Sequence, residues 1–260
     1  ADTKLTNNWS SGFTANYITT SIDKAVTSGN GLLRTVYAAP PSYDLAGIPS
    51  HVDGNPYTQN SFRGSFDNAY WAMENNKFTE DTNRFFGNVY ASYQTDFGTT
   101  NHKLNAKYMV GVDAYTTHYV DSYGYGSNTG GGRGQIENYG WTNATYNSLL
   151  TINYDWHINE DWGLNAVVGN EIIQSNRKKY YEYGTNYNFP GWNHINNATT
   201  QQTEEETWKN RTVGFFGNVS ASYRNMLYLT LTGRQDYVSN MPRKNRSFFY
   251  PSISAGFILT

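Results

Sequence analysis

Apolar and polar residues alternate with a period of two over long stretches of this chain, and one such stretch occurs twice. Phe85-Phe86-Gly87-Asn88-Val89-Tyr90-Ala91-Ser92-Tyr93 returns as Phe215-Phe216-Gly217-Asn218-Val219-Ser220-Ala221-Ser222-Tyr223. Eight of nine positions are identical at an offset of 215 − 85 = 130 residues. Phe85, Gly87, Val89, Ala91 and Tyr93 share one face; Phe86, Asn88, Tyr90, Ser92 and Gln94 share the other. This is the side-chain period of a β-strand with one apolar and one mostly polar side. The same pattern predicts strands over 9–20, 103–119, 145–158, 162–172 and 227–236, and a last one with Ile253, Ala255, Phe257 and Leu259 on one face. The fold class is therefore all-β and antiparallel, with about eight strands.

The strands are punctuated unevenly. Short turns fall near 95–102, 159–161 and 224–226, whereas 21–83, 120–140, 174–207 and 237–249 read as long loops. Within the first of these, Asp23-Lys24-Ala25-Val26 and Leu32-Leu33-Arg34-Thr35-Val36-Tyr37 predict short helical turns around Gly29 and Gly31. Pro40, Pro41, Gly47, Pro49, Gly54 and Pro56 interrupt the remainder. In an up-and-down sheet this alternation places all short turns at one end and all long loops at the other, as in outer-membrane barrels with extracellular loops. Tyr93, Trp156, Trp162 and Tyr223 lie on the apolar faces close to the short turns, where an aromatic belt at a membrane interface is expected. Loops of this size, and two same-facing strands four strands apart, point to a segment of a wider transmembrane β-barrel. Two alternatives stay open: a small structural or adhesive barrel, and a soluble antiparallel sandwich whose apolar faces look inward.

Composition narrows the chemistry. The net charge of −2 lacks the basic excess that a nucleic-acid partner calls for. There is no cysteine, so neither disulfides nor thiolate metal sites arise. Aromatic residues make up 17%, including 23 tyrosines, while mean hydropathy is −0.69. A barrel needs apolar residues only at alternate positions of segments of about 9–11 residues, so low hydropathy is compatible with spanning a bilayer by strands. The first residues are polar, with no signal peptide, so the chain reads as a mature or interior portion. No catalytic, cofactor or metal constellation is found. His51, His102, His118, His157 and His194 have no metal-ligand spacing, and Gly130-Gly131-Gly132-Arg133-Gly134 lacks the end of a phosphate loop. Glu204-Glu205-Glu206 reads as a solvated charge run.

The expected chemistry is recognition. Trp71, Tyr123, Tyr125, Tyr180, Tyr181, Tyr187 and Trp192 lie in the predicted loops among many Asn, Gln and Ser residues. Rings beside amides suit sugars or peptides as solutes, and equally loop-to-partner packing. On the polar strand faces, Asn88, Tyr90, Ser92, Lys107, Asp113, Arg234 and Asp236 are expected to face the lumen, with Arg234 and Asp236 as a structural pair.

Three phrases resemble a known family. Asp67-Asn68-Ala69-Tyr70-Trp71 followed by Arg84-Phe85-Phe86-Gly87-Asn88, the hairpin from Phe216 to Leu229-Thr230-Leu231-Thr232-Gly233-Arg234-Gln235-Asp236, and Tyr250-Pro251-Ser252-Ile253-Ser254-Ala255-Gly256-Phe257 are similar to SusC/RagA-type TonB-dependent outer-membrane transporters of Bacteroidetes. Ala69, Tyr237 and Phe257 depart from the family pattern, where Pro, Gly and Trp are usual. The resemblance implies a protein several times longer, with a barrel of about 22 strands around a plug domain absent from this chain. It further implies import of oligosaccharides or oligopeptides across the bacterial outer membrane, energised through TonB, with a SusD-like surface lipoprotein over the loops.

Overall fold

The structure is a computed structural model, and it describes residues 1–25 and 32–259. Val26, Gly29 and Gly31 of the predicted helical turns lie outside the described residues, as does Thr260. Eleven strands form among the described residues: β1 (Asp2–Lys4), β2 (Trp9–Asp23), β3 (His51–Val52), β4 (Asn55–Gln59), β5 (Lys77–Thr95), β6 (His102–Tyr123), β7 (Gln135–His157), β8 (Trp162–Tyr187), β9 (Ala198–Tyr223), β10 (Leu227–Val238) and β11 (Ser247–Phe257). Nine of them make one antiparallel sheet in the order β1-β2-β5-β6-β7-β8-β9-β10-β11, an up-and-down meander. The small β3–β4 pair and helices α1 (Leu32–Ala38) and α2 (Ala69–Asn75) belong to the connection between β2 and β5. The sheet is open: β11 has β10 as its one neighbour.

The strands run much further than hydropathy predicts. β7 starts at Gln135, β8 continues to Tyr187 and β9 begins at Ala198, so most of 174–207 and both ends of 120–140 are strand, and the loops shrink to 124–134 and 188–197. Likewise β5 begins at Lys77 and β11 at Ser247, which cuts back the ends of 21–83 and 237–249. The reason is physical. Alternation marks a strand only where its two faces meet different surroundings. In 199–211 both faces are exposed and, Trp208 apart, polar, yet the backbone pairs residue by residue with β8. Glu204, Glu205 and Glu206 accordingly lie in mid-strand rather than in a loop. Glu205 meets Lys178 at 2.8 Å, and Glu206 meets Lys179 at 3.8 Å. These exposed cross-strand pairs fix register more than they add stability.

The two copies of the repeat become β5 and β9, parallel to each other and four positions apart in the sheet. Each pairs with a strand that carries tryptophan at the level of its last tyrosine. Trp9 lies against Tyr93 with centroids 5.0 Å apart, and Trp162 against Tyr223 at 4.7 Å. From these pairs upward, one face is predominantly apolar across β2 and β5 to β11: Phe85–Tyr93 on β5 spans 9 residues and Val213–Tyr223 on β9 spans 11. Among the described residues, no other layer covers this face. Val89, Val168, Phe215 and Ile253 are 53%, 55%, 53% and 71% exposed. A soluble sandwich would bury them, and the second sheet here consists of two short strands.

Candidate functional site

The opposite face carries the chemistry. Strand alternation and register place Asn88, Tyr90, Ser92, Lys107, Asp113, Arg234 and Asp236 on this one face. They pair among themselves and with residues that alternation alone does not single out. Arg84 donates to Asp113 through Nε at 2.8 Å and Nη2 at 2.6 Å, a bidentate contact. Arg234 donates to Asp236 at 2.9 Å and to Glu171 at 2.7 Å. Gly214 makes room for this group, since a Cβ there would stand 2.6 Å from both the Arg234 guanidinium and the Asp236 carboxylate. The Lys107 ammonium lies 4.1 Å from the centre of the Tyr90 ring, and the Tyr90 hydroxyl donates to Asp2. Asn88 stands opposite Thr14 on β2 and Gly111 on β6.

Above the level of the apolar band the same face holds a ladder of tyrosines. Tyr119, Tyr139 and Tyr181 occupy one cross-strand row; the first two stack at 4.8 Å and 6°, and Tyr181 follows at 6.4 Å. Lys24 closes the row from the β2 side, 4.4 Å over Tyr119 and 3.5 Å from Glu80. Burial, with the Asp121 carboxylate beside it, pushes the Tyr139 phenol up to about 12, so it stays a hydrogen-bond donor across the physiological range. Burial also raises Glu137; Asp121 adds to that shift and a hydrogen bond from Tyr181 opposes it. A raised carboxyl favours folding below its ordinary pKa, and that contribution is lost as pH rises through the raised value. Glu137→Gln is expected to slow hydrogen exchange at the tips of β7 and β8 at neutral pH and to leave it unchanged near pH ~4. Faster exchange in the variant at neutral pH would contradict the argument.

The predicted loop aromatics divide by burial. Trp71 is 0% exposed and its Nε1 donates to the Pro56 carbonyl at 2.8 Å. It is the centre of a cap built from α1, α2 and β3–β4 rather than a surface for solute. The Asp67-Asn68 pair sets this cap. The Asn68 side chain accepts from the backbone N–H of Tyr70 and Trp71 and so caps α2, which Ala, Met and Glu residues favour. Asp67 is buried and accepts from Gln59 Nε2 (2.8 Å), Ser127 Oγ (2.6 Å), Asn128 N (2.7 Å) and Asn128 Nδ2 (2.9 Å). The cap is thereby clipped to the 124–134 loop. There Gly126, at φ +100°, brings its backbone so close to Tyr57 that a Cβ would stand 2.0 Å from its carbonyl oxygen.

Tyr187 is also 0% exposed, packed with Ile136 and Ala198, and Tyr125 packs against that cluster. Tyr123 meets Phe78 edge-on at 5.2 Å. Trp192 is different. It is 44% exposed and stacks between Phe189 (5.8 Å) and His194 (4.9 Å) in the 188–197 loop. The buried Asn197 fixes that loop by donating to the carbonyls of Phe189 and Trp192. Tyr180 bonds His118 on the other face of the sheet. No group of three or more His, Asp or Glu residues suited to a metal ion occurs among the described residues.

No helix among the described residues is long and apolar enough to cross a membrane, which leaves crossing by strands open. No protein-family model matches the chain, and no curated protein matches it. Solved structures do. The chain is similar to the structure of the RagAB peptide transporter, with a TM-score of 0.73 and 13% identity. It is also similar to the RagAB peptide importer in its "open-open" state (0.75, 15%) and its "closed-closed" state (0.76, 15%). Each match covers 98% of this chain but 28–29% of the other, so the chain spans under a third of the length of the structures it resembles. At this identity the likeness establishes a shared fold, an antiparallel β-wall.

Proposed function

We propose that this chain is a section of the wall of an outer-membrane β-barrel importer of the SusC/RagA type. One observation carries the reading: an uncovered apolar band 9–11 residues deep, bounded below by Trp–Tyr pairs, backed by a continuous polar face. That depth matches the strand length needed to cross a bilayer, about 9–11 residues. Apolar positions then face lipid, and Arg84, Asp113, Glu171, Arg234 and Asp236 face the lumen or whatever fills it. The free edge of β11 supports a wall that continues beyond these strands, because an unpaired edge in hydrocarbon leaves backbone groups unsatisfied. Above the band, 198–212 adds about 50 Å of strand at about 3.3 Å per residue, raising the cap and the 188–197 loop well clear of the bilayer.

In this reading the solute is an oligopeptide or oligosaccharide; the likeness to a peptide transporter favours the former. A SusD-like lipoprotein covers the loops, and TonB acts through a part of the protein outside this chain. The full-length protein, reconstituted in liposomes and in cells with and without the TonB system, tests the proposal. Energy-dependent peptide uptake is expected, and shortening 188–197 should reduce uptake or lipoprotein binding without loss of membrane insertion. A protein that stays monomeric and soluble without detergent defeats it.

A further inference from the structure

On the polar face, just above the apolar band, β7, β8 and β9 enclose an open recess of about 660 Å³. Its lining includes Arg177 but no carboxylate. Arg177 differs from the other arginines on this face. Arg84 and Arg234 are neutralised by Asp113, Glu171 and Asp236, whereas no ion pair or hydrogen bond engages the Arg177 guanidinium among the described residues. Instead, it lies over the Trp141 ring at 5.1 Å and near the Trp208 ring at 5.6 Å. Two indoles thus hold a planar fork of donors in place and leave its edge free, which lowers the ordering cost of a bidentate contact. Asn143 faces Arg177 directly across the β7–β8 pair. Its Nδ2 is shielded from solvent and has no hydrogen-bond partner. A buried donor without an acceptor is costly, and here it sits beside an uncommitted cation.

We propose that this recess is a carboxylate-binding subsite: Arg177 grips the carboxylate through its fork, the Asn143 amide turns outward to donate to one of its oxygens, and Ser175 and Asn210 line the site. The subsite rests on the preceding reading only in giving the carboxylate to a transported peptide. That makes acidic peptides the preferred solutes.

The test uses the full-length protein in detergent and three blocked pentapeptides identical except for a central glutamate, glutamine or phosphoserine. The wild type is expected to bind the glutamate peptide about tenfold or more tightly than the glutamine peptide. Arg177→Gln should abolish that preference. Arg177→Lys, which keeps the charge without the fork, and Asn143→Leu should each weaken it severalfold. Far-ultraviolet dichroism and detergent-resistant mobility report that each variant is folded. Equal binding of the glutamate and glutamine peptides by the wild type, or an unchanged preference in Arg177→Gln, overturns the proposal. Tighter binding of the phosphoserine peptide than of the glutamate peptide reassigns the recess to phosphate and likewise overturns it. A carboxylate preference without uptake in liposomes would count against the importer alone, and uptake without the preference against the subsite alone.

Discussion

Replacing Val219 with arginine is expected to destabilise the protein in lipid vesicles by about 2–4 kcal/mol, the cost of a cation at the bilayer midplane on the lipid side of a barrel. Val219 stands halfway along the apolar face of β9, is 45% exposed, and pairs with Leu231 and Ala166. Its neighbour Asn218 points to the opposite face, where arginine has polar company, so Asn218→Arg should cost well under half as much. Urea titration of refolding into vesicles measures both. The contrast is diagnostic, because in a water-exposed sheet Val219→Arg would be nearly neutral. Equal effects of the two substitutions would remove the lipid assignment.

The second large effect is expected at the clip between the cap and the 124–134 loop. Asp67→Ala removes one acceptor from four hydrogen bonds and strands donors of Gln59, Ser127 and Asn128 in a buried setting. Hydrogen bonds to a charged partner contribute roughly 1.5–3 kcal/mol each after exchange with water and are not additive around one shared acceptor, so a net local loss of about 3 kcal/mol is expected. Residues 55–75 and 124–134 should then become susceptible to protease together while the strands stay protected. Cleavage confined to one of the two segments, or no change in either, would show that Asp67 does not couple them.

The lower half of each strand is legible in the sequence because its two faces meet different surroundings. Phe13, Val89, Val110, Val168 and Leu231 therefore alternate with polar residues, and the repeat reveals that β5 and β9 play equivalent parts. The upper half is not legible in the same way. In 199–211, Trp208 apart, polar residues occupy both faces, and only pairing with β8 makes the segment a strand. One overlooked signal does exist there. Tyr139 and Tyr181 stand 21 residues either side of Glu160 in a short turn, and Tyr119 and Tyr139 stand 10 either side of Thr129 in the glycine-rich loop. In an up-and-down hairpin, residues equidistant from a turn become neighbours, so the tyrosine ladder was implied by counting.

The functional face was harder to read. Glu171 lies on a strand otherwise rich in apolar residues, and its bond to Arg234 spans 63 positions. Trp71 and Tyr187 resemble binding aromatics in composition but are buried: Trp71 because a loop as long as the one before β5 needs a small core of its own, and Tyr187 because it packs with Ile136 and Ala198 where β7, β8 and β9 meet. Asp67, four positions before Trp71, is what anchors that core, and no local pattern announces a carboxylate whose partners lie 8, 60 and 61 residues away.

The same clip bears on how the chain reaches this arrangement. From β5 to β11, neighbours in the sheet are neighbours along the chain, so these joints form between close segments and suit hairpin-by-hairpin assembly. The β2–β5 joint instead closes across the whole cap, and Asp67 cannot meet Ser127 and Asn128 until β6 has turned into β7. Contact order therefore rises sharply at the cap. The meander is expected to form first, with the cap as the late and rate-limiting event, so that a partly assembled wall would display its strands in order but stand open at the top.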